Sequence, residues 1–409
     1  MHSLAIALKK SGYNVTGSDD KLYEPSLSRL KENQLCPDET GWFSSKITND
    51  LDFVILGMHA KLDSPELLRA IELNIKIYSY PEFIYKLSSN KTRIVIGGSH
   101  GKTTITSMIL HVLNLNNINV DYVLGAQLDG FDDTVSLTKD NEFIIIEGDE
   151  YLSSPSDLTP KFIKYKANIA LISGIAWDHI NVFESFKKYA QQFSYFIDSI
   201  VDGGVLVYNE LDPTVNEIVS NNQSFVRKIE YNLPDYYLEN NHVFLRTDEG
   251  DIPLNIFGKH NLSNLEAARK ICSLLGIFDY DFYNSISSFK GASKRLETIY
   301  RDSTNLLIRD FAHAPSKLIA SVNAVRNTFK DTFLIAVYEL HTFSSFNSEY
   351  ITQYSGSLNN CDLPIVFLDK KNKKINEINV MTNEKISNAF NIQNLIIMNS
   401  SYDLYEYLT

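Results

Sequence analysis

A glycine-rich segment that ends in lysine and threonine is the strongest chemical signal in the chain. Residues 97–104 read GGSHGKTT and stand between an expected strand at 93–96, which reads RIVI, and an apolar helical pattern at 105–113. In a strand–loop–helix of this kind, backbone N–H groups and the helix N-terminus bind phosphate. The spacing is one residue short of the usual pattern because Ile96 occupies its first glycine position. A structural turn is the alternative interpretation. We predict a phosphate site made by Gly98, Ser99, His100, Gly101, Lys102, Thr103 and Thr104.

An acidic run follows a second apolar stretch. Residues 143–146 read FIII, and residues 147–150 read EGDE. Carboxylates at the carboxyl end of a buried strand, beside a phosphate loop, are suited to hold Mg²⁺ directly or through water. Glu147 is the preferred ligand, and Thr103 would reach the same ion through its hydroxyl. A solvated acidic loop is the alternative, because strand ends often carry charge.

Two further segments place polar groups after apolar stretches or at the start of a helix. The stretch at 169–173 leads into His179, which suits a metal or phosphate contact or a hydrogen-bonded structural role. Residues 258–264 read GKHNLSN and open a helical pattern. The amide of Asn264 has the donor and acceptor that an adenine edge requires. Asn261 suits either an N-cap or a ligand contact.

The last chemical signals lie at 293–297 (SKRLE) and 310–315 (DFAHAP). The planar guanidinium of Arg295 could clamp a transferring phosphate, and Asp310 could accept hydrogen bonds from ribose hydroxyls. Surface salt bridges are the alternative for both residues.

The elements that must position these residues alternate between helical and apolar segments, which is typical of an α/β fold with parallel sheets. Polar stretches at 88–91 and 290–293 divide the chain, so we predict domains at 1–89, 90–290 and 291–409. Expected helices end near Lys10 and span 105–113 and 261–275, with a β-rich segment at 242–256. Expected strands are at 13–16, 51–56, 75–78, 93–96, 143–146, 169–173, 306–308, 333–337 and 364–368.

Composition agrees with a large globular protein. The 409 residues exceed the length of about 250–300 at which one core stops growing. A net charge of −12 opposes non-specific binding to nucleic acid or an anionic membrane. Three scattered cysteines suit a reducing compartment, and no apolar run reaches the roughly 20 residues that span a bilayer. We therefore expect a cytoplasmic protein with no nucleic-acid partner and no membrane insertion; the oligomeric state is not indicated.

Taken in order, these motifs and the VTGSD segment at 15–19 resemble the Mur ligases over essentially the whole chain. The resemblance implies a Rossmann-like N-terminal domain for a UDP-sugar, a P-loop central ATPase domain and a Rossmann-like C-terminal domain for an amino acid or peptide. It also implies ATP and Mg²⁺ as cofactors and amide formation through an acyl phosphate.

The resemblance also implies residue roles. Catalytic roles fall to Lys102, His179 and Arg295, and metal-binding roles to Thr103, Glu147 and His179. Nucleotide contacts beyond the phosphate loop are implied for His260, Asn264, Arg295 and Asp310. Substrate contacts are implied for Ser18, Asp19, Tyr151, Ser153 and His313.

Within the family, the chain resembles the branch that acts on UDP-N-acetylmuramate, because the helix at 187–193 has no lysine at the place where other members carry a carbamylated one. Tyr151 after the acidic run resembles the recycling ligase that adds an L-alanyl-γ-D-glutamyl-diaminopimelate tripeptide. The pattern of the L-alanine-adding ligases carries arginines at the place of residues 339–345, and this chain has none there, which weakens the L-alanine alternative without establishing a tripeptide site. The tripeptide is the favoured amine donor, and L-alanine is the alternative.

Two departures from the family support a rival hypothesis. Met1 matches the helix after the first strand and glycine-rich loop, so that strand and loop are expected to be missing. Arg309 stands where an acid often precedes Asp310, and the end at Thr409 suggests a shortened third domain. The rival is a non-catalytic nucleotide-binding remnant. A folate-polyglutamate-type ligase is ranked last, because it suits the phosphate loop but not the VTGSD segment.

Overall fold

The computed structural model describes residues 1–128, 130–131, 133–179, 182–342, 344–347, 349–369 and 381–408. These residues form two compact units, Met1–Ile175 with Ala190–Tyr231 and Ala176–Tyr189 with Asn232–Thr409. The domain boundaries at 89/90 and 290/291 stay predictions. Among the described residues, no helix is both long enough and apolar enough to span a membrane.

Helices and strands alternate along much of the chain, as predicted. The helices are α1 (His2–Lys10), α2 (Ser26–Glu32), α3 (Pro65–Glu72), α4 (Tyr80–Ser88), α5 (Lys102–Leu115), α6 (Lys161–Lys164), α7 (Phe186–Asp198), α8 (Pro213–Asn221), α9 (Lys259–Leu274), α10 (Asp279–Ile286), α11 (Pro315–Thr328), α12 (Asn383–Phe390) and α13 (Ser401–Leu408). Short 3₁₀ turns lie at Ser44–Lys46, Ser344–Phe346 and Tyr350–Tyr354.

The strands include most of those expected from the sequence. They are β1 (Phe53–Leu56), β2 (Lys76–Ser79), β3 (Thr92–Gly97), β4 (Asp121–Val123), β5 (Val135–Ser136), β6 (Phe143–Glu147), β7 (Leu152–Ser154), β8 (Asp157–Pro160), β9 (Ile169–Ile172), β10 (Val205–Asn209), β11 (Arg227–Tyr231), β12 (Tyr236–Glu239), β13 (His242–Thr247), β14 (Gly250–Leu254), β15 (Glu297–Arg301), β16 (Leu306–Arg309), β17 (Ile335–Glu339), β18 (Leu363–Phe367) and β19 (Ile396–Met398).

A seven-stranded sheet forms the centre of the first unit, with the order β11-β10-β9-β3-β6-β4-β5. Its pairings are parallel except that of β4 with β5. Ile96 of β3 lies opposite Glu147 of β6 on one side and Leu171 of β9 on the other. Crevices at the carboxyl ends of such strands, where the strand order reverses, are where open α/β sheets bind ligands.

The central strands are buried on both faces because each contains a run of apolar residues, mostly Ile, Val and Leu. The helix α5 covers part of this sheet through apolar residues with helical spacing, and they are fully buried. These residues are Ile105, Met108, Ile109 and Val112. The predicted strands at 93–96, 143–146 and 169–173 are confirmed.

The first unit also contains a two-stranded parallel sheet of β1 and β2. The strand predicted at 13–16 is wrong, because these residues have no ladder partner. The backbone N–H of Tyr13 donates to the carbonyl of Leu8 and closes the end of α1. The Tyr13 ring instead packs edge-on against Phe53, with ring centroids 6.2 Å apart.

Three smaller sheets build the second unit. The strands β12, β13 and β14 are antiparallel, which confirms the β-rich segment at 242–256. The strands β15 and β16 form an antiparallel pair, and β17, β18 and β19 form a parallel sheet. The core beside the parallel sheet includes Tyr338, Leu340, Tyr354, Val366 and Phe390.

Candidate active site

The phosphate loop of the first unit is packed closely against the end of β9. Gly98 has φ +126° and Gly101 has φ +77°, and both values favour glycine. A Cβ on Gly98 would lie 2.1 Å from the Ser173 Oγ. The Ser99 N–H donates to the Gly174 carbonyl at 2.9 Å, and the Ser173 hydroxyl donates to the His100 carbonyl. The loop therefore leaves no room for a side chain at Gly98.

Lys102, the first residue of α5, is fixed over this loop. Its Nζ donates to the Gly98 carbonyl at 2.5 Å and lies 2.7 Å from the Glu150 Oε2. Burial alone would lower the pKa of Lys102, but the carboxylates of Glu150, Asp149 and Glu147 outweigh it and raise that pKa. The ammonium group is therefore charged at neutral pH and positioned beside the loop.

The side chains of Thr103 and Glu147 are in contact, while their predicted role as metal ligands stays a prediction. The Thr103 Oγ1 donates to the Glu147 Oε1 at 2.7 Å, and the second carboxylate oxygen accepts from the Gly125 N–H at 2.9 Å. A carboxylate and a hydroxyl are hard oxygen ligands of the kind that Mg²⁺ prefers. The residues present therefore fit a Mg²⁺–phosphate group. The neighbouring Thr104 is buried in α5.

The acidic run continues into a small hairpin of β7 and β8. The Asp149 carboxylate accepts from the Lys161 Nζ at 2.6 Å and from the Tyr151 N–H at 3.0 Å. The Lys161 Nζ also lies 5.9 Å from the centroid of the Tyr151 ring. The buried Ser153 hydroxyl donates to the Thr159 carbonyl at 2.6 Å. Substrate contacts by Tyr151 and Ser153 stay predictions.

Ser18 and Asp19 lie in a polar part of the first unit. The Ser18 hydroxyl donates to the Glu66 Oε1 at 2.7 Å and accepts from the Lys46 Nζ at 3.4 Å. Burial, assisted by Asp20 and opposed by backbone N–H groups, raises the pKa of Asp19. Their predicted role toward a UDP-sugar stays a prediction.

His179 belongs to the second unit, whereas Thr103 and Glu147 belong to the first. It has φ +52°, and its backbone N–H donates to the Asp178 Oδ1 at 2.8 Å. The other oxygen of Asp178 lies 3.4 Å from the Lys317 Nζ. The predicted role of His179 as a metal ligand stays a prediction.

His313 lies beside the same lysine. Its Nε2 is 3.2 Å from the Lys317 Nζ, and its Nδ1 is 3.1 Å from the Phe311 carbonyl oxygen. Burial and the charge of Lys317 lower the pKa of His313 to about 4, despite the opposing charge of Asp178. The ring is therefore neutral at pH 7. This arrangement assigns the proton to Nδ1, which donates to Phe311, so that Nε2 accepts from Lys317.

Arg295 and Asp310 have partners other than the surface salt bridges considered above. The Arg295 guanidinium lies 5.2 Å from the Phe311 ring centroid and donates to the Phe311 carbonyl at 3.3 Å. Asp310 accepts from the Leu296 N–H at 3.0 Å and from the Ser321 hydroxyl. Within the described part of the chain, neither residue forms an ion pair. Their polar groups therefore join the segment just before β15 to the segment just after β16.

Helix α9 begins at Lys259, and Gly258 is its N-cap with φ +90°. The N-cap interpretation of Asn261 is therefore wrong. Asn261 lies inside the first turn, and its side-chain amide donates to the Phe257 carbonyl at 3.0 Å. Burial lowers the pKa of His260, with Asp310 opposing the shift. Asn264 is also buried, and nucleotide contacts by His260 and Asn264 stay predictions.

Two side chains at these sites were not selected from the sequence. Glu150 was part of the acidic run, but its position gave no indication that it would be the carboxylate that pairs with Lys102. Lys317 follows the 310–315 motif by two residues, and no pattern in the sequence singled it out.

Comparison with known proteins supports the interpretation of the motifs. Residues 96–272 match the family described as Mur ligase middle domain. A UDP-N-acetylmuramate–L-alanine ligase from a Sulfurihydrogenibium species is 31% identical over 355 residues, covering 85% of this chain and 76% of that protein. A UDP-N-acetylmuramate–L-alanyl-gamma-D-glutamyl-meso-2,6-diaminoheptandioate ligase from Haemophilus influenzae is 27% identical over 338 residues, covering 80% of this chain and 74% of that protein.

The fold is also found among solved structures. The UDP-N-acetylmuramate–alanine ligase of Thermotoga maritima has a TM-score of 0.71 at 18% identity, covering 100% of this chain and 90% of that one. The predicted α/β Mur ligase architecture is confirmed. The narrower resemblance to the tripeptide-adding ligase is not confirmed, because the relatives include both kinds of ligase. Similarity over most of both chains, together with the match in the middle domain, shows that this chain belongs to the Mur ligase family.

Proposed function

We propose that this chain joins the lactyl carboxylate of UDP-N-acetylmuramate to the amine of the L-alanyl-γ-D-glutamyl-diaminopimelate tripeptide, with ATP and Mg²⁺. The observation that carries the ATP-dependent part of the proposal is Lys102, held between the Gly98 carbonyl and Glu150 beside the predicted phosphate loop. Members of the Mur ligase family are ATP-dependent ligases that form amide bonds, and the predicted enzyme class is confirmed at that level.

The phosphates of ATP would bind to the loop at residues 98–104, at the N-terminus of α5. Thr103 and Glu147 would hold Mg²⁺, because their oxygen atoms suit that ion. His179 is proposed as a metal ligand on the family resemblance alone. When bound, Mg²⁺ supplies positive charge that offsets the phosphate oxygens. Lys102 contributes a second fixed positive charge, since its raised pKa keeps it protonated.

The reaction divides into two steps. A carboxylate oxygen attacks the γ-phosphorus, the bond to the ADP oxygen breaks, and an acyl phosphate forms. The amine then attacks the acyl carbon, phosphate leaves with its pair of electrons, and the amine loses a proton. Phosphate is needed because a bare carboxylate has no adequate leaving group. Lys102 and Arg295 would offset the charge of the transferred group.

The remaining residues would bind the nucleotide and the substrates. Asn264 and His260 are proposed on the adenine side and Asp310 at the ribose. Ser18 and Asp19 are proposed to contact the UDP-sugar. Substrate contacts are also proposed for Tyr151, Ser153 and His313. A cytoplasmic location also stays a prediction.

Two amine donors remain candidates, for different reasons. Tyr151 and the absence of arginines from 339–345 favour the tripeptide. L-Alanine is the second candidate, because a relative 31% identical to this chain is named as an L-alanine ligase.

Phosphate release from ATP and Mg²⁺ with UDP-N-acetylmuramate, measured with each donor in turn and with the product identified by mass, decides between them. Turnover with the tripeptide alone supports the first proposal, and turnover with L-alanine alone replaces it by the second. Absence of turnover with both donors, while ATP still binds, would favour the non-catalytic hypothesis.

A further inference from the structure

The positive charge of Lys317 lies at an electrostatically unfavourable position in its own helix. It is the third residue of α11, and the first turn of this helix contains no acidic residue. The N-terminus of a helix carries partial positive charge, so a lysine there is unfavourable unless other groups compensate for it. Groups outside the helix must therefore compensate for the positive charge of Lys317.

The contacts of Lys317 join two loops of the second unit. The Lys317 Nζ lies 3.4 Å from the Asp178 Oδ2 and 3.2 Å from the His313 Nε2. The ion pair is largely removed from solvent, because the side chains of Lys317 and Asp178 are 17% and 20% exposed. Screening by water and salt is correspondingly reduced.

The Asp178 carboxylate contacts both Lys317 and the backbone of His179, the residue that follows it. One carboxylate oxygen faces Lys317, and the other accepts the His179 backbone N–H at 2.8 Å. His179 has φ +52°, a left-handed backbone conformation that residues other than glycine rarely adopt. Such a conformation persists only when its surroundings fix it. The Asp178 carboxylate is one of the groups that fix it.

We propose that Lys317 is a positioning residue for His179, acting through Asp178. Its ammonium orients the carboxylate that holds the His179 backbone, and it also holds the neutral His313 ring of the adjacent loop. The inference rests on the proposed function, because that function assigns the His179 imidazole to the metal. It goes beyond the proposed function in giving a role to a lysine that lies outside the motifs.

The test uses the full chain with ADP and measures Mn²⁺ binding by electron paramagnetic resonance. Lys317→Met keeps the length of the side chain and removes its charge, and we expect it to weaken Mn²⁺ binding about 10- to 100-fold, as is usual for residues that orient metal ligands. Lys317→Arg should restore most of the affinity. Lys330→Met, which removes an exposed lysine just after α11, should bind Mn²⁺ like the wild type.

A second measurement separates positioning from general damage to the fold. In the ligase assay, Lys317→Met should raise the apparent KM for Mg²⁺ and leave the KM for UDP-N-acetylmuramate unchanged, with a thermal midpoint close to that of Lys317→Arg. Equal losses in both KM values would overturn the inference.

His179→Ala separates this inference from the proposed function. If His179→Ala weakens Mn²⁺ binding and Lys317→Met does not, the positioning role is wrong while the metal assignment stands. If neither variant weakens binding, the metal role of His179 is wrong and the inference is overturned with it.

Discussion

The ammonium group of Lys102 lies 2.7 Å from the Oε2 of Glu150, a side chain that is only 1% exposed. The two opposite charges therefore compensate each other at a site where little water reaches the carboxylate. Lys102 is held by a carboxylate and a carbonyl before any phosphate arrives, so little reorganisation is needed when ATP binds. The ion pair with Glu150 makes Lys102 important for the stability of the fold as well as for phosphate binding.

We predict that Lys102→Met lowers ADP formation by at least about 10²- to 10³-fold, the usual loss when one preorganised donor is removed. It should also destabilise the fold by on the order of 3 kcal/mol, because the buried Glu150 carboxylate loses its ion pair with Lys102. The double variant Lys102→Met/Glu150→Gln removes both charges and should recover most of the stability without activity. Unfolding midpoints and ADP formation measure the two effects. Turnover by either variant at the wild-type rate would contradict the role of Lys102.

The close contact at Gly98 gives a second prediction. Gly98→Ala should abolish nucleotide binding and lower the unfolding midpoint, because the new Cβ would lie 2.1 Å from the Ser173 Oγ. Gly203→Ala is the matched control, since Gly203 also has positive φ but no heavy atom within 4 Å of a Cβ. The control should lose only about 1 kcal/mol from backbone strain and keep full ATP affinity. Calorimetric titration measures the ATP affinity of each variant. Equal affinity in the two variants would contradict the view that the loop binds phosphate and has no room for a side chain at Gly98.

Much of the fold around this loop could be predicted from the sequence. The strands β3, β6 and β9 each contain a run of apolar residues, and such runs are typical of strands that are buried on both faces of a parallel sheet. The prediction of a strand at 13–16 is wrong for a physical reason. A strand requires a hydrogen-bonding partner, and sequence propensity does not reveal whether a partner lies alongside.

The site was less predictable, because its pairings depend on turns. The acidic run contains three carboxylates, and the sequence does not indicate which of them faces Lys102. The Gly148 N–H donates to the Ile96 carbonyl, and the turn that follows brings Glu150 to Lys102 while Glu147 faces Thr103. Lys317 was missed because a contact between residues 178 and 317 leaves no local pattern in the sequence.

The buried side chain of Arg93 leads to a third prediction, which concerns the stability of the first unit. It is 4% exposed and lies over the Tyr85 ring at 5.2 Å. Its guanidinium donates to the carbonyls of Ser88, Ser89, Lys91, Tyr165 and Lys166. Arg93→Met should destabilise the first unit by about 3 kcal/mol or more, because several buried carbonyls lose their donor.

Arg93→Lys tests whether charge alone is sufficient. It should recover only part of the stability, because an ammonium cannot reproduce the planar fork of donors. Arg227→Met, at an exposed arginine of the same unit, should change the unfolding midpoint little. These midpoints are measured by urea denaturation, and full recovery by Arg93→Lys would show that the planar fork of donors is not needed.

His313 provides a pH-dependent prediction. Its pKa is about 4 in the folded chain, below the ordinary value of 6.5, mainly because it is buried. Above pH 6.5 the ring is neutral in both the folded and unfolded states, so its full contribution to stability is present. Between pH 6.5 and 4 the unfolded state takes up the proton first, so stability should fall, by no more than about 3 kcal/mol.

The replacement His313→Gln should therefore reduce the loss of stability between pH 7 and pH 5. Unfolding midpoints at these two pH values measure the effect, and His59→Gln, which removes an exposed ring, serves as the control. An unchanged pH response in His313→Gln would show that this imidazole is not the group responsible.

Transfer of oxygen from the substrate carboxylate to phosphate tests the central claim most directly. UDP-N-acetylmuramate labelled with ¹⁸O in its lactyl carboxylate is incubated with ATP, Mg²⁺ and each amine donor, and the released phosphate is analysed by mass spectrometry. Activation through an acyl phosphate predicts one labelled oxygen in each phosphate released and one in each amide formed. Amide formation with no label in the phosphate would contradict carboxylate activation by ATP.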